Sequence, residues 1–374
     1  MIIRWVCKNC NKKWIYPIEN CVYCKDQGKI EKEIGKQMKV IGNTKVNIVC
    51  PPHPIAPYNI IIVQDEHGNK MPKKVMKEYN IGDEYKREGS NDESAVSIVK
   101  IKYDNYEAIK EALELIKFDI KDQKILIKPN IFAAAYPYQG LTTNILVVKA
   151  LLDYLIEKGV KKENITIAEQ VQFGEAEKAF KRSGFASLAK EQGVKLVDLA
   201  KTNFVEKEQD GFKFEISEEL LNKDLIINVP VMKTHMLLGI SGALENMTRV
   251  ISTKTYKEME KDMEKAIKGI AVLNKFIGKY LTIGDASIGM QGNGPGQYGV
   301  PAFLNMILAS KDPVALDKVF TEIGLLKDVK HVLAAAELGV GSANLVDIVV
   351  VGDELDACRR ELKPPIGSKL IKMR

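Results

Sequence analysis

Two Cys-x-x-Cys pairs within the first 24 residues, Cys7/Cys10 and Cys21/Cys24, constrain this chain more than any other feature. Two such knuckles gather four thiolates around one tetrahedral ion, and structural Zn²⁺ is the expected occupant. Lys8-Asn9 and Val22-Tyr23 fill the short turns between paired ligands. Iron takes the same four thiolates, and the spacing leaves that alternative open. A disulfide framework is the competing arrangement. Against it, the start MIIRWVCKNCNKKW is broken by charges too early for a secretory signal, and the remaining chain adds only Cys50 and Cys358.

A chain of 374 residues has room for two or three domains and a real hydrophobic core. With 45% hydrophobic and 28% charged residues it reads as a soluble protein, expected in the cytoplasm, and no apolar run reaches the length of a membrane span. The net charge of +6 comes from 55 basic and 49 acidic residues that are scattered rather than blocked. That balance suits an anionic small molecule better than nucleic acid.

The pattern divides the chain into a ribbon over 1–28, a β-domain over 29–95 and an α/β domain over 96–374. The charged stretch 29–39 reads as a helix or linker. Short β-type runs at 45–49 and 58–63, with turns at His67-Gly68-Asn69 and Gly82-Asp83-Glu84, predict a small OB-like barrel. Beyond residue 96 strands alternate with helices: strands at 97–103, 124–128, 165–168, 195–199, 224–229, 281–284, 306–309 and 348–351, helices at 144–158 and 175–182, and a hairpin over 204–217 turning at Asp210-Gly211. This alternation predicts an α/β fold with a mainly parallel sheet.

Ligands of parallel sheets bind beyond the carboxyl ends of the strands, and several polar clusters fall just where a strand stops. Lys128-Pro129-Asn130 follows one strand, Lys233-Thr234-His235 another, and Asp285 a third, with the Gly292-Asn293-Gly294-Pro295-Gly296 loop close behind. Lys233 should lower the pKa of His235 and favour a neutral imidazole, so His235, Lys233 and Asp285 are the catalytic candidates. Lys128, Asn130, Thr142, Thr143, Asn246 and the backbone of Gly292, Asn293 and Gly294 are the ligand-binding candidates, the last three as an anion nest. N-capping accounts equally for Thr142 and Thr143, and turn formation for Pro129 and Asn130. Asn246 is expected at a helix start. His53, His67 and His331 read as surface residues.

Two resemblances follow from these motifs. The paired cysteines, Pro51-Pro52-His53-Pro54, the run from Pro57 to Val63 and Ile81-Gly82-Asp83 resemble the acyl-CoA-associated zinc ribbon and OB-fold family, domain of unknown function 35. That resemblance implies a CoA-thioester context and a thiolase-like protein partner. From about residue 96 the chain resembles the domain of unknown function 362 family. The carrying motifs are Lys128-Pro129-Asn130, Thr142-Thr143-Asn144, the run from Asn228 to His235, Gly242-Ala243-Leu244-Glu245-Asn246, the run from Gly289 to Pro295, and the run from Ser310 to Asp317. Some members carry ferredoxin-type clusters, and this chain has no such cysteine run. It also has Glu245 where a lysine is usual, and lacks a histidine often found after Asn246.

Three functions are therefore weighed. The first is an enzyme or enzyme subunit acting on an acyl-CoA or similar phosphate-bearing thioester, by general acid–base chemistry of His235 and Asp285 or through a metal held by them. The second is a non-catalytic, acyl-CoA-binding scaffold for a thiolase-like enzyme. The third is nucleic-acid binding, disfavoured because the β-domain lacks dense basic residues with interleaved aromatics.

Overall fold

The computed structural model describes residues 1–25, 29–296 and 298–366. The expected ribbon boundary at residue 28 and the domain end at 374 lie outside the described residues. Three strands, β1 (Ile2–Cys7), β2 (Lys13–Trp14) and β3 (Ile30–Gly35), form an antiparallel sheet in the order β2-β1-β3. The stretch expected as helix or linker is thus partly a strand, because Ile30 to Gly35 pairs along the whole of β1. Next come β4 (Met38–Val46), β5 (Tyr58–Asp65) and β6 (Lys70–Val75), an antiparallel meander. It corrects the expected small barrel: β3 is spent on the ribbon sheet, leaving three strands that pack Met38, Val40, Ile61, Val63 and Val75 together with Ile2 of β1.

The rest alternates strands and helices: β7 (Val96–Lys100), α1 (Asn105–Leu115), β8 (Ile125–Pro129), α2 (Ile145–Glu157), β9 (Ile165–Glu169), α3 (Ala176–Ser183), α4 (Phe185–Gln192) and β10 (Lys195–Asp198). The hairpin β11 (Phe204–Gln209) and β12 (Phe212–Ser217) follows as the sequence predicts, then α5 (Glu218–Leu221), β13 (Leu225–Val229), β14 (Val231–His235) and β15 (Gly239–Ser241). After α6 (Ala243–Asn246), α7 (Thr253–Glu260) and α8 (Met263–Ile277) come β16 (Leu281–Gly292), β17 (Gly299–Ala302), β18 (Met306–Ser310), α9 (Pro313–Ile323), α10 (Lys330–Glu337), β19 (Val350–Gly352) and α11 (Leu355–Cys358).

The main sheet runs β10-β9-β8-β13-β16-β18-β7-β19 and is mostly parallel, with β18 antiparallel to both neighbours. Its inner strands read as unbroken apolar runs because helices cover both faces. Alternation divides the side chains between two cores: Leu126, Val96, Ile98 and Leu308 face one, Ile125, Ile127, Val99 and Ile307 the other. Helix starts are fixed by side-chain caps, each worth about 1 kcal/mol. Asn144 accepts the Leu146 N–H ahead of α2, and Asp312 accepts that of Ala315 ahead of α9. Several contacts fasten the ribbon sheet to this domain, among them the ion pair of Lys32 in β3 with Glu107 in α1. Ile3 N–H donates to the Tyr103 hydroxyl at 2.9 Å, and Trp5 packs edge-on to the Tyr103 ring.

Two of the sequence motifs meet in the core. Asp317 of α9 is fully buried and accepts the N–H groups of Ala243 at 2.6 Å and Leu244 at 3.1 Å. Gly242 makes that approach feasible, since a Cβ there would lie 2.0 Å from Asp317 Oδ1. Gly242→Ala is therefore expected to lower stability by about 1–3 kcal/mol, seen as an earlier urea midpoint at unchanged slope. An unchanged midpoint would show that the contact is dispensable.

Candidate functional site

From β8 the chain steps outward to β9 and β10, then returns to lay β13 against the other side of β8 before moving on to β16. The connections leaving β8 and β13 diverge, which opens a crevice at their carboxyl ends, the usual ligand position of such sheets. A narrow cleft of about 10 Å³, room for one water-sized group, lies there, lined by Asn130, Phe132, Gln170, Lys233, Glu245 and Arg249 among others.

Lys128 and Glu169, at the ends of β8 and β9, form an ion pair of 2.9 Å that is shut off from solvent. Burial pushes Glu169 up and Lys128 down, and each opposes the shift of the other. Three donors hold the carboxylate: Lys128, the Gln170 N–H at 2.8 Å and the Ile131 N–H at 3.0 Å. Lys233 is also buried, its ammonium donating to Asn130 Oδ1 at 2.6 Å. Desolvation brings its pKa down to about 8, with Lys128 adding to the effect and Glu245 and Glu169 opposing it. Glu245 accepts the Ser241 hydroxyl at 2.5 Å. Burial alone would raise the pKa of Glu245, but His235, Lys233 and the Ser241 hydroxyl hold it below the usual range.

Three buried polar atoms around the cleft have no hydrogen-bond partner among the described residues: Gln170 Oε1, Asn246 Oδ1 and Arg249 Nε. Each belongs to a side chain otherwise held in place. Gln170 Nε2 donates to Thr253 Oγ1, Asn246 Nδ2 donates to Asn228 Oδ1 at 2.7 Å, and the Arg249 guanidinium lies 3.8 Å over the Tyr256 ring. Orphaned buried polar atoms are uncommon in folded proteins, and three around one cleft call for a partner there, a water or a ligand atom. With Lys233 protonated, three cations (Lys128, Lys233, Arg249) stand against two carboxylates (Glu169, Glu245) and the cleft favours an anion; with Lys233 neutral the charges balance.

Of the residues singled out from sequence, Asn130, Lys233 and Asn246 line this cleft, with Lys128 directly behind. Asn246 closes α6 and, as expected, stands at a helix start, the N-cap position of the 3₁₀ turn Met247–Val250, though its side chain makes no cap bond there. Thr143 ties the two strand ends together instead, its hydroxyl donating to Val229 O and accepting the Asn130 N–H. Thr142 is buried beside it, its backbone bridged to Ile131. Asp285 lies in mid-strand because β16 continues to Gly292, and its carboxylate accepts the Asn144 N–H at 2.7 Å and the Ser287 N–H and hydroxyl. It anchors the cap of α2.

Asp285 and His235 do not form one acid–base or metal pair. Asp285 pairs with Val231, and His235 lies four residues further along β14, about 13 Å at strand rise. His235 Nδ1 accepts the N–H groups of Leu237 and Leu238 at 3.2 and 3.1 Å, so its neutral ring carries the proton on Nε2 and presents a donor. Its pKa is lowered by burial foremost, with Lys233 adding to it.

The glycine loop is stitched to the fold, and the Gly292 N–H that an anion nest would use is taken by a carbonyl. Gly292 N–H donates to Lys363 O, Asn293 Oδ1 accepts the Ile366 N–H, and Gly294 O accepts the Met236 N–H. His331, expected at the surface, is fully buried, which pulls its pKa down to about 4. His67 is exposed as expected, while His53 is half-buried and stacks near Tyr58.

Sequence reading missed Glu169, Gln170 and Arg249. The rule that found Asn130 would have found Glu169-Gln170, which close β9 in the same way. Arg249 has no such signal, because its place is set by Tyr256 on the following helix.

At the other end of the molecule the four cysteine sulfurs lie within 4.8 Å of one another, a group that can hold a metal ion. Cys7 and Cys24 Sγ are 3.3 Å apart, Cys10 and Cys21 3.5 Å, and Cys10 and Cys24 3.9 Å. A tetrahedron of thiolates at zinc–sulfur distance has edges of about 3.8 Å, so the quartet fits such an ion with little adjustment. Among the described residues no helix is long and apolar enough to cross a membrane.

Comparison with known proteins adds three findings. The thylakoid-associated protein sll1697 of Synechocystis sp. is 26% identical over 204 residues, covering 54% of this chain and 62% of that protein. The chain thus spans less than two thirds of that relative's length. The lactate racemase apoprotein from Thermoanaerobacterium thermosaccharolyticum superposes with a TM-score of 0.40 at 14% identity, over 67% of this chain and 61% of that one. The family model described as Domain of unknown function (DUF362) matches residues 125–322, which hold every residue of the cleft, and the chain belongs to that family.

Proposed function

We propose that the protein is an enzyme that binds a small anionic acyl compound in the cleft between β8 and β13 and moves a proton to or from it with Lys233. The observation that carries this reading is the convergence of Gln170 Oε1, Asn246 Oδ1 and Arg249 Nε, all unpartnered among the described residues, around a lysine whose pKa is about 8. An amine titrating there is partly neutral at physiological pH and able to act as a base, a function worth about 10²–10⁴-fold in rate. Asn130 fixes the amine, and the oxygens of Gln170 and Asn246 accept donors of the substrate. Arg249, stacked on Tyr256, holds the carboxylate, phosphate or developing enolate oxygen. A CoA thioester is one compound of this class, its acyl carbonyl being the part that enters.

The test is deuterium uptake from D₂O into a panel of carboxylates, phosphate esters and CoA thioesters, read by mass spectrometry. Lys233→Met is expected to slow uptake into any active compound by about 10²–10⁴-fold. Exchange that persists at the wild-type rate, or a panel with no Lys233-dependent exchange, removes this reading in favour of the scaffold. The scaffold reading has its own support in Ile15, Tyr16, Val22 and Tyr23, exposed apolar residues around the ribbon that offer a surface to a protein partner.

For the cysteine quartet the occupant we propose is structural Zn²⁺. Four thiolates and no further ligand leave the ion closed to substrate, as in structural sites.

A further inference from the structure

On the far side of Glu245 from the cleft lies a second cavity of about 180 Å³, lined by Leu238, Met259, Met263, Ala266 and Ile270, with His235, Glu245, Thr248 and Glu260 at its polar edge. The partition between the two spaces is one side chain thick. Glu245 lines both, and where Arg249 faces the cleft, the Tyr256 ring beneath it faces the chamber.

From this shared wall, which a turn of the Glu245 side chain would open, we propose that the substrate is an amphipathic acid. Its anionic end lies on Arg249 and Lys233 in the cleft, and its apolar chain passes Glu245 into the chamber. The inference rests on the reading of the cleft as an anion site. No lysine or arginine lines the chamber, and Glu245 and Glu260 there oppose an anion, so the cationic partners of the head are in the cleft. Two methionines in the lining suit a flexible chain better than a rigid ring, because their side chains repack around varied shapes. Ala266, on the first turns of α8, lines the chamber with the smallest side chain, so a larger residue there would take up its room.

The test uses the full-length protein and sodium n-alkanoates from acetate to decanoate, titrated by calorimetry. Affinity is expected to rise roughly fourfold per methylene until the chamber is full, then level off. Ala266→Trp should end the rise at a shorter chain, and Ile270→Ala should extend it. Arg249→Met should weaken every member of the series, acetate included. An affinity flat with chain length, with Arg249→Met still abolishing binding, overturns the amphipathic substrate and leaves the anion cleft standing. A rise with length that Arg249→Met does not touch overturns both, since the head would then lie elsewhere. If Ala266→Trp fails to fold, the wild-type series and Ile270→Ala decide.

Discussion

Replacing Cys7 and Cys10 together with serine is expected to release the metal ion and unfold β1, β2 and β3 while the α/β domain stays folded. Few contacts other than the ion organise the knuckles. Ile15, Tyr16, Val22 and Tyr23 are all more than half exposed, so burial of apolar surface does little for the turns that carry the ligands. The free energy of such a site in small zinc domains is about 10–16 kcal/mol, and without it they do not fold. Ile2 and Ile3 should loosen with the sheet, and the meander of β4, β5 and β6 with them, because Ile2 is part of its core. The two large cores contain no ribbon residue. Metal release into a chromogenic chelator, followed by amide hydrogen exchange of residues 1–35 and 125–322, separates the two regions. Full protection of the ribbon in the metal-free variant would contradict the assignment.

The second large effect is expected from Glu169→Leu. Lys128 would then lose the partner that sustains its charge while staying shut off from solvent, and breaking a buried pair from one side costs about 3–5 kcal/mol. The Ile131 and Gln170 N–H groups would lose their acceptor as well. The double variant Lys128→Met/Glu169→Leu should recover most of the loss, because two apolar groups of similar volume replace the pair. Urea unfolding of the four proteins completes the cycle. A single variant within 1 kcal/mol of wild type would show that water reaches Lys128.

Much of this was legible in the sequence where local chemistry decides the structure. The thiolate quartet follows from spacing alone. The strand-then-polar rule located Lys128, Asn130 and Lys233 because parallel strands end in the crevice that binds ligands. The same rule misplaced Asp285, since Gly284 interrupts the apolar pattern of a strand that in fact continues to Gly292. His331 was misread because Lys330 marks its surroundings as polar, yet on α10 the two point to opposite sides, Lys330 out and His331 into the core. The barrel failed for a non-local reason: β3 finds its partner in β1, more than twenty residues back, and pairing at that distance leaves no mark on composition. The pairing of Arg249 with Tyr256 and the tautomer of His235 likewise depend on contacts made only once the chain has folded.

Everything proposed for the cleft turns on Lys233. Its depressed pKa carries a sign that can be checked: the folded protein gives up this proton more readily than the unfolded chain, so its burial weakens folding below about pH 8. That penalty fades as pH rises from 8 toward the unburied value of 10.5. Over this window wild type should gain about 3 kcal/mol relative to Lys233→Met. The most direct measurement is an NMR titration of lysine ¹³Cε resonances, with Lys233→Met identifying the signal. A midpoint near pH 8 is the expected result, and a midpoint near 10.5 would contradict a buried, partly neutral amine at the centre of the site.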